Sequence, residues 1–315
     1  MDVANPTPLS QYGTGQSLLV PVAALWWVLV HLPVVFVRYY AIPAFRSLYF
    51  RVALKRGREQ AIASPETRRM LGDYEKLQIA ASDRILDARA MQKLDLLLDA
   101  CGCREAVRKR KAEAHREGRS DFFHLSQEAL SASAMEQLFG GILPGDFKPM
   151  LELAHGRELR CLSVTYHETD GDDPTVRVGS SLYNAHPFHM DGNPKFAKVL
   201  IYLTDVDDAA GPFEMFSDSR FPLFDELVRL AYQEKHFRGR PRGPGARLRA
   251  HLPAWLRRPT HLWNDDVGDL QKRFPNAFHR ITANKGAVVF FNGMNVHNGS
   301  RDQKKRREVL HFIFV

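Results

Sequence analysis

Three side chains of this chain have the types and spacing to share one metal ion. His189 and Asp191, in Asn-Ala-His-Pro-Phe-His-Met-Asp (184–191), stand two apart, which on an extended strand puts both on one face. A third imidazole from a facing strand would complete two His and one carboxylate, a set that grips Fe(II) from one side and leaves the opposite positions open for oxygen chemistry. The stretch 285–300, Lys-Gly-Ala-Val-Val-Phe-Phe-Asn-Gly-Met-Asn-Val-His-Asn-Gly-Ser, offers it: an apolar strand, a turn at Asn292-Gly293, then His297. The same ligand types also suit zinc, which keeps a hydrolase in view. His186 lies three before His189, an offset that faces the other side of a strand, and His167 stands apart from the motif.

Beyond His297 the chain ends in Arg306-Arg307-Glu-Val-Leu-His-Phe-Ile-Phe-Val, a strand rich in β-branched and aromatic residues. Parity selects which arginine points inward. An inward Arg306 would bury Glu308, whereas an inward Arg307 brings Val309, Ile313 and Val315 to the same face.

His-x-Asp, a distant His and an Arg ten residues beyond it resemble the Fe(II)/2-oxoglutarate-dependent dioxygenases, and within them the phytanoyl-CoA dioxygenase-like branch. That branch follows its His-x-Asp with an apolar strand, an acidic turn and a Gly-Pro step, as in Val-Leu-Ile-Tyr-Leu-Thr-Asp-Val-Asp-Asp-Ala-Ala-Gly-Pro-Phe-Glu-Met-Phe (199–216). The likeness covers roughly 145–315. It departs at Ser-Asp-Ser-Arg (217–220), where the family usually has Pro-Gly-Ser-His, and in the roughly sixty residues that precede the last strands. The resemblance implies an α+β fold whose core is a double-stranded β-helix (jelly-roll, cupin-like). It implies His189, Asp191 and His297 as metal ligands and catalytic residues, with Fe(II), O2 and 2-oxoglutarate as cofactor and cosubstrates and ascorbate as a supporting reductant. Arg307 would pair with the distal carboxylate of 2-oxoglutarate, and Tyr202 would line that pocket with its hydroxyl available to donate. Because Asp191 is a carboxylate and not a small residue, no ligand position is vacant for halide, and hydroxylation of an unactivated carbon is expected.

The 315 residues suffice for one catalytic domain plus a tether. A net charge of +8 predicts attraction to anions without choosing among phosphates, lipids and acidic sugars; no nucleic-acid motif appears. Three cysteines, Cys101, Cys103 and Cys161, are too few and too oddly spaced for a disulfide framework and suggest a reducing compartment.

The segments around the site follow. Residues 1–17 read as a polar disordered leader, and Leu18 to Val37 as an uncharged apolar run of membrane-crossing length. The runner-up for that run is a helix packed on the domain or lying in the interface, since Pro21 and Pro33 weaken a regular span. Arg38, Arg46, Arg51, Lys55, Arg56 and Arg58 all follow it, which by the positive-inside rule places the enzyme at the cytoplasmic face. The anchor and its basic amphipathic continuation occupy 18–60, and the catalytic domain 61–315. Residues 64–154 read as helical support starting at Ser-Pro-Glu-Thr (64–67), with breaks at Gly102, Gly118 and Gly140-Gly141. Within them Arg108 to Lys111 reads as a solvated helix face. The core spans 155–315, interrupted by an insert at 221–285 whose arginines could grip an acidic substrate. The expected substrate is anionic and possibly lipid-linked. A soluble acyl-CoA or phosphorylated metabolite, and a non-enzymatic membrane-anchored binding protein that keeps the barrel, are the alternatives.

Overall fold

A computed structural model describes residues 29–30, 32–118, 126–169, 188–189, 191, 196–217, 272, 275–299 and 304–315. The polar leader, residues 18–28 of the apolar run, His186 and residues 221–271 of the insert lie outside these.

The chain enters as one helical run, α1 (32–61), interrupted by π-turns at Val37–Ala41 and Phe50–Leu54. Among the described residues no helix is long and apolar enough to cross a membrane. Helix α2 (Pro65–Leu77) starts as its sequence dictates: the Ser64 side chain accepts from the N–H groups of Glu66 and Thr67, and Pro65 fills the first turn, where a missing N–H costs nothing. Helices α3 (Ala88–Ala100) and α4 (Cys103–Arg116) are separated by Gly102, whose φ of +70° suits a residue without a side chain. Helices α5 (Ala132–Gly141) and α6 (Phe147–His155) complete the helical layer.

Nine strands form two antiparallel sheets among the described residues: β1 (Ile79–Ser82), β2 (Gln127–Ala129), β3 (Cys161–Thr169), β4 (Ala197–Tyr202), β5 (Phe213–Phe216), β6 (Phe278–Ile281), β7 (Val288–Asn292), β8 (His297–Asn298) and β9 (Arg307–Phe314). The larger sheet runs β1-β7-β4-β9-β3-β2 and the smaller β6-β5-β8, with His189 bridged to His297 at the smaller sheet's edge. Alternation along the strands sorts two cores. Val199, Ile201, Phe290, Leu310, Phe312 and Phe314 face the helices, while Tyr202, Phe213, Met215, Val289, Phe291 and Val309 fill the space between the sheets.

Tyr74 of α2 stacks on Phe290 with ring centroids 4.2 Å apart, and both rings are buried. Phe290→Ala should therefore lower unfolding free energy by about 3–5 kcal/mol, read as a shifted urea midpoint. A loss below about 1 kcal/mol would mean that the helices do not depend on this seam.

Three expectations need correction. The segment 64–154 is not purely helical, because β1 and β2 extend both edges of the larger sheet. These strands have only four and three residues, with Ala and Ser as three of the four in β1, and pairing with β7 and β3 determines them more than propensity does. The insert does not run to 285: Phe278–Ile281 is a strand paired with β5. Nor is Arg108–Lys111 a free solvated face, since Arg110 pairs with Glu128, and Arg108 and Lys111 approach the buried Glu168, fastening α4 to the sheet.

Candidate metal centre

His189, Asp191 and His297 come together as the notional grip requires: one ligand atom from each lies within 4.8 Å of the others, compact enough for one ion. No other group of three such residues is this compact among the described residues; His279 and His311 are not part of it. Backbone hydrogen bonds explain the convergence. His189 and His297 exchange N–H···O bonds of 2.8 Å in both directions, bringing their rings to 4.3 Å between centroids. The N–H of Asp191 donates to the carbonyl of Gly293 at 2.7 Å, so the turn after β7 holds the carboxylate against β8.

The donor set fits a metal in two further respects. Asp191 Oδ2 is buried and has no hydrogen-bond partner, an expensive condition for a carboxylate oxygen unless an ion supplies the missing interaction. Nδ1 of His297 lies 2.8 Å from the carbonyl of Asn295 and can only donate to it, which leaves Nε2 with its lone pair for coordination. Burial pushes the His297 imidazole down to about 4, so it is neutral at physiological pH, as a ligand must be.

Gly293 leaves the space that the carboxylate occupies. A Cβ at this position would stand 1.8 Å from Asp191 Oδ2 and 2.8 Å from Cγ. The other carboxylate oxygen, Oδ1, accepts from Lys198 Nζ at 2.5 Å, with both side chains buried. Lys198 thereby fixes the carboxylate's rotation and leaves Oδ2 as the oxygen without a partner.

Arg307 is buried and donates to the carbonyl of Gly211, on the face of β9 that also carries Val309 and His311. Burial pushes its guanidinium down to about 10, so it still carries its charge at neutral pH. Arg306 faces the other way, bound to Glu168 and Glu308. The choice between the two on grounds of a buried acid rested on an incomplete premise. Glu308 is buried in any case, beneath the helical layer, where Arg104 of α4 and Arg306 neutralise it. Tyr202 is buried between the sheets, but its hydroxyl is not available to a ligand as a donor: it donates to the carbonyl of Ile281 and accepts from the N–H of Phe213, both at 3.1 Å. Its role is to tie β4 to β5 and β6.

Three residues near the ligands escaped the sequence reading. Lys198 had a visible signal, as the lone charge in the apolar strand 197–202, on the same parity as Tyr202. His311 shares the inward face of β9 and stands 5.8 Å from the ring of His167; burial and neighbouring Lys198 hold it far below the usual imidazole range. Asn295 is fully buried with neither amide atom hydrogen-bonded, and only the tertiary structure shows that.

No family model matches the chain, and no curated protein matches it. Solved structures that align with most of the chain include AviO1 from Streptomyces viridochromogenes Tue57 (13% identity, TM-score 0.45, covering 81% of this chain and 96% of that one). SnoK, a non-haem α-ketoglutarate-dependent carbocyclase from nogalamycin biosynthesis, aligns at 12% identity and TM-score 0.44, over 80% of this chain and 87% of that one. EctD from S. alaskensis, with 2-oxoglutarate and 5-hydroxyectoine, aligns at 9% and 0.46, over 80% and 78%. At such scores nothing about residue roles or substrate passes from those proteins to this chain.

Proposed function

We propose that the protein is a mononuclear Fe(II)/2-oxoglutarate-dependent hydroxylase built on a jelly-roll core. The observation that carries this reading is the compact triad His189, Asp191 and His297, with an Asp191 oxygen that is buried and has no hydrogen-bond partner. Strand order supports the core: without edge strands β1 and β2, the larger sheet joins the first, last, third and sixth of eight strands, and the smaller joins the rest, counting the His189 edge as second.

Iron bound here would supply activation of O2 and oxidative decarboxylation of 2-oxoglutarate, whose electrons are needed for hydroxylation. The chain's own residues do the positioning. The Asn295 carbonyl fixes the tautomer of His297, Lys198 restricts Asp191 to one donating oxygen, and the buried Arg307 anchors the distal carboxylate of the cosubstrate. Asp191 occupies the position a halide would need, so the outcome is hydroxylation.

The substrate is an anion. Among the described residues Lys198 and Arg307 outnumber Asp191 on the inward side, and the two charges of the ion and of 2-oxoglutarate cancel, leaving one positive charge from these residues to be met. The unsatisfied amide of Asn295, just ahead of His297, offers that substrate one donor and one acceptor. Whether the anion is lipid-linked, an acyl-CoA or a soluble phosphorylated metabolite separates the variants of this reading.

The test is turnover of 2-oxoglutarate to succinate by purified protein with Fe(II), ascorbate and O2, with and without candidate anions. Succinate formed in an iron-dependent manner, stimulated by an anionic substrate, is the expected result. Hydrolytic activity with Zn(II) and no succinate under any condition would replace the reading with a hydrolase, and failure to bind either metal would leave a binding protein.

A further inference from the structure

Helix α1 shows water an apolar face that a soluble domain has reason to hide. Ile42, Phe45, Leu48, Tyr49 and Val52 follow one another at spacings of three, three, one and three, hence along one side, and all are exposed, Phe45 to 74% and Val52 to 81%. The opposite side is the one packed on the domain: Val35, Tyr39 and Phe50 are buried, Ser47 lies against the α6 cap at Gly156, and Arg58 pairs with Glu152 of α6. The helix is thus held by its inner side while its outer, apolar side stays uncovered.

Charge singles out the partner. From Val37 to Ala61 there are six basic residues and a single acid, Glu59. Arg46 flanks the apolar stripe on one side and Arg51 and Lys55 on the other, and all three are exposed. Behind the stripe, a cavity of about 370 Å³ between α1 and α6 is lined by Ser47, Arg51, Lys55 and His155, with Phe50, Leu153, Ala154 and Gly156 making its floor. Desolvation and, after it, the nearby Arg46 lower the affinity of the Arg157 guanidinium for its proton, so the field around α1 favours an anion. The residues leading into the helix, Leu-Leu-Val-Pro-Val-Ala-Ala-Leu-Trp-Trp-Val (18–28), are uncharged and apolar.

We propose that α1 is a lipid-surface dock: its apolar stripe enters the outer acyl region of an anionic bilayer with the helix in the membrane plane, and a phospholipid headgroup phosphate sits in the Ser47–Arg51–Lys55 cavity. A helix lying in the interface needs this combination of an apolar side, cationic flanks and low overall hydrophobicity. In that pose the domain is fixed to the surface through α6, whatever residues 18–28 add.

The measurement is co-sedimentation of the full chain with vesicles of phosphatidylcholine alone, or mixed with phosphatidylglycerol, at low and high salt and without iron or 2-oxoglutarate. It therefore reports on docking whether or not the oxygenase reading holds. The parent should partition at least about tenfold better onto the anionic vesicles, with the preference shrinking in high salt. The triple variant Phe45→Ser, Leu48→Ser, Val52→Ser touches only exposed positions and should lose about tenfold in partition on anionic vesicles. The variant Arg46→Gln, Arg51→Gln, Lys55→Gln should bind both vesicle types alike. Inorganic phosphate at millimolar concentration should not displace the parent, because the headgroup is held together with the stripe. Equal partition of parent and both variants would overturn the proposal. So would a parent dimer, dissociated by the serine variant, in light scattering without vesicles, since the face would then belong to a second copy of the chain.

Discussion

Gly293→Ala is expected to abolish tight Fe(II) binding while leaving the fold intact. The new Cβ would fall 1.8 Å from Asp191 Oδ2, well inside any real contact, and 2.8 Å from Cγ. The carboxylate cannot slide away without cost, because the Asp191 N–H is bound to the Gly293 carbonyl at 2.7 Å and Lys198 holds Oδ1. The carboxylate must therefore rotate or the turn must open, and either removes one of three ligands from position. An affinity loss of about 100-fold or more, measured by anaerobic Fe(II) titration against an unchanged far-ultraviolet circular dichroism spectrum, is the result to look for. Tight iron binding by the variant would show that Asp191 is not a ligand.

The second large effect concerns the cosubstrate. Arg307→Met keeps the apolar stem but removes the charge that faces inward from β9, and the apparent Kd for 2-oxoglutarate should rise by roughly 100-fold as a charge-assisted pair is lost. Arg306→Met is the control. Its guanidinium pairs with Glu168 and Glu308 on the helix side, so it should alter stability modestly and 2-oxoglutarate binding hardly at all. Iron binding should survive in both, which separates loss of the cosubstrate anchor from loss of the centre. If Arg306→Met weakened 2-oxoglutarate binding and Arg307→Met did not, the assignment of the inward arginine would be reversed.

Much of this centre was written in local sequence. The spacing of His189 and Asp191 and the parity of the terminal strand follow from a period of two, which a strand imposes whatever it packs against, and the turn ahead of His297 follows from the backbone preferences of Asn292-Gly293. The cap at Ser64-Pro65 is likewise local, because a side-chain oxygen and the first free N–H groups lie within three residues of each other. Tertiary structure decided what depends on residues distant in sequence. Ile79–Ser82 is a strand because β7 offers it an edge, and Phe278–Ile281 because β5 does. Tyr202 reads as a free phenol on its strand, yet Phe213 and the more distant Ile281, both on other strands, occupy its hydroxyl. Lys198 could be seen as an odd charge in an apolar strand, but its hold on Asp191 is visible only in three dimensions. Gly293 shows the division most sharply: sequence marks it as a turn residue, whereas the reason a side chain cannot stand there is a carboxylate one hundred and two positions earlier, brought within contact by the pairing of two strand edges.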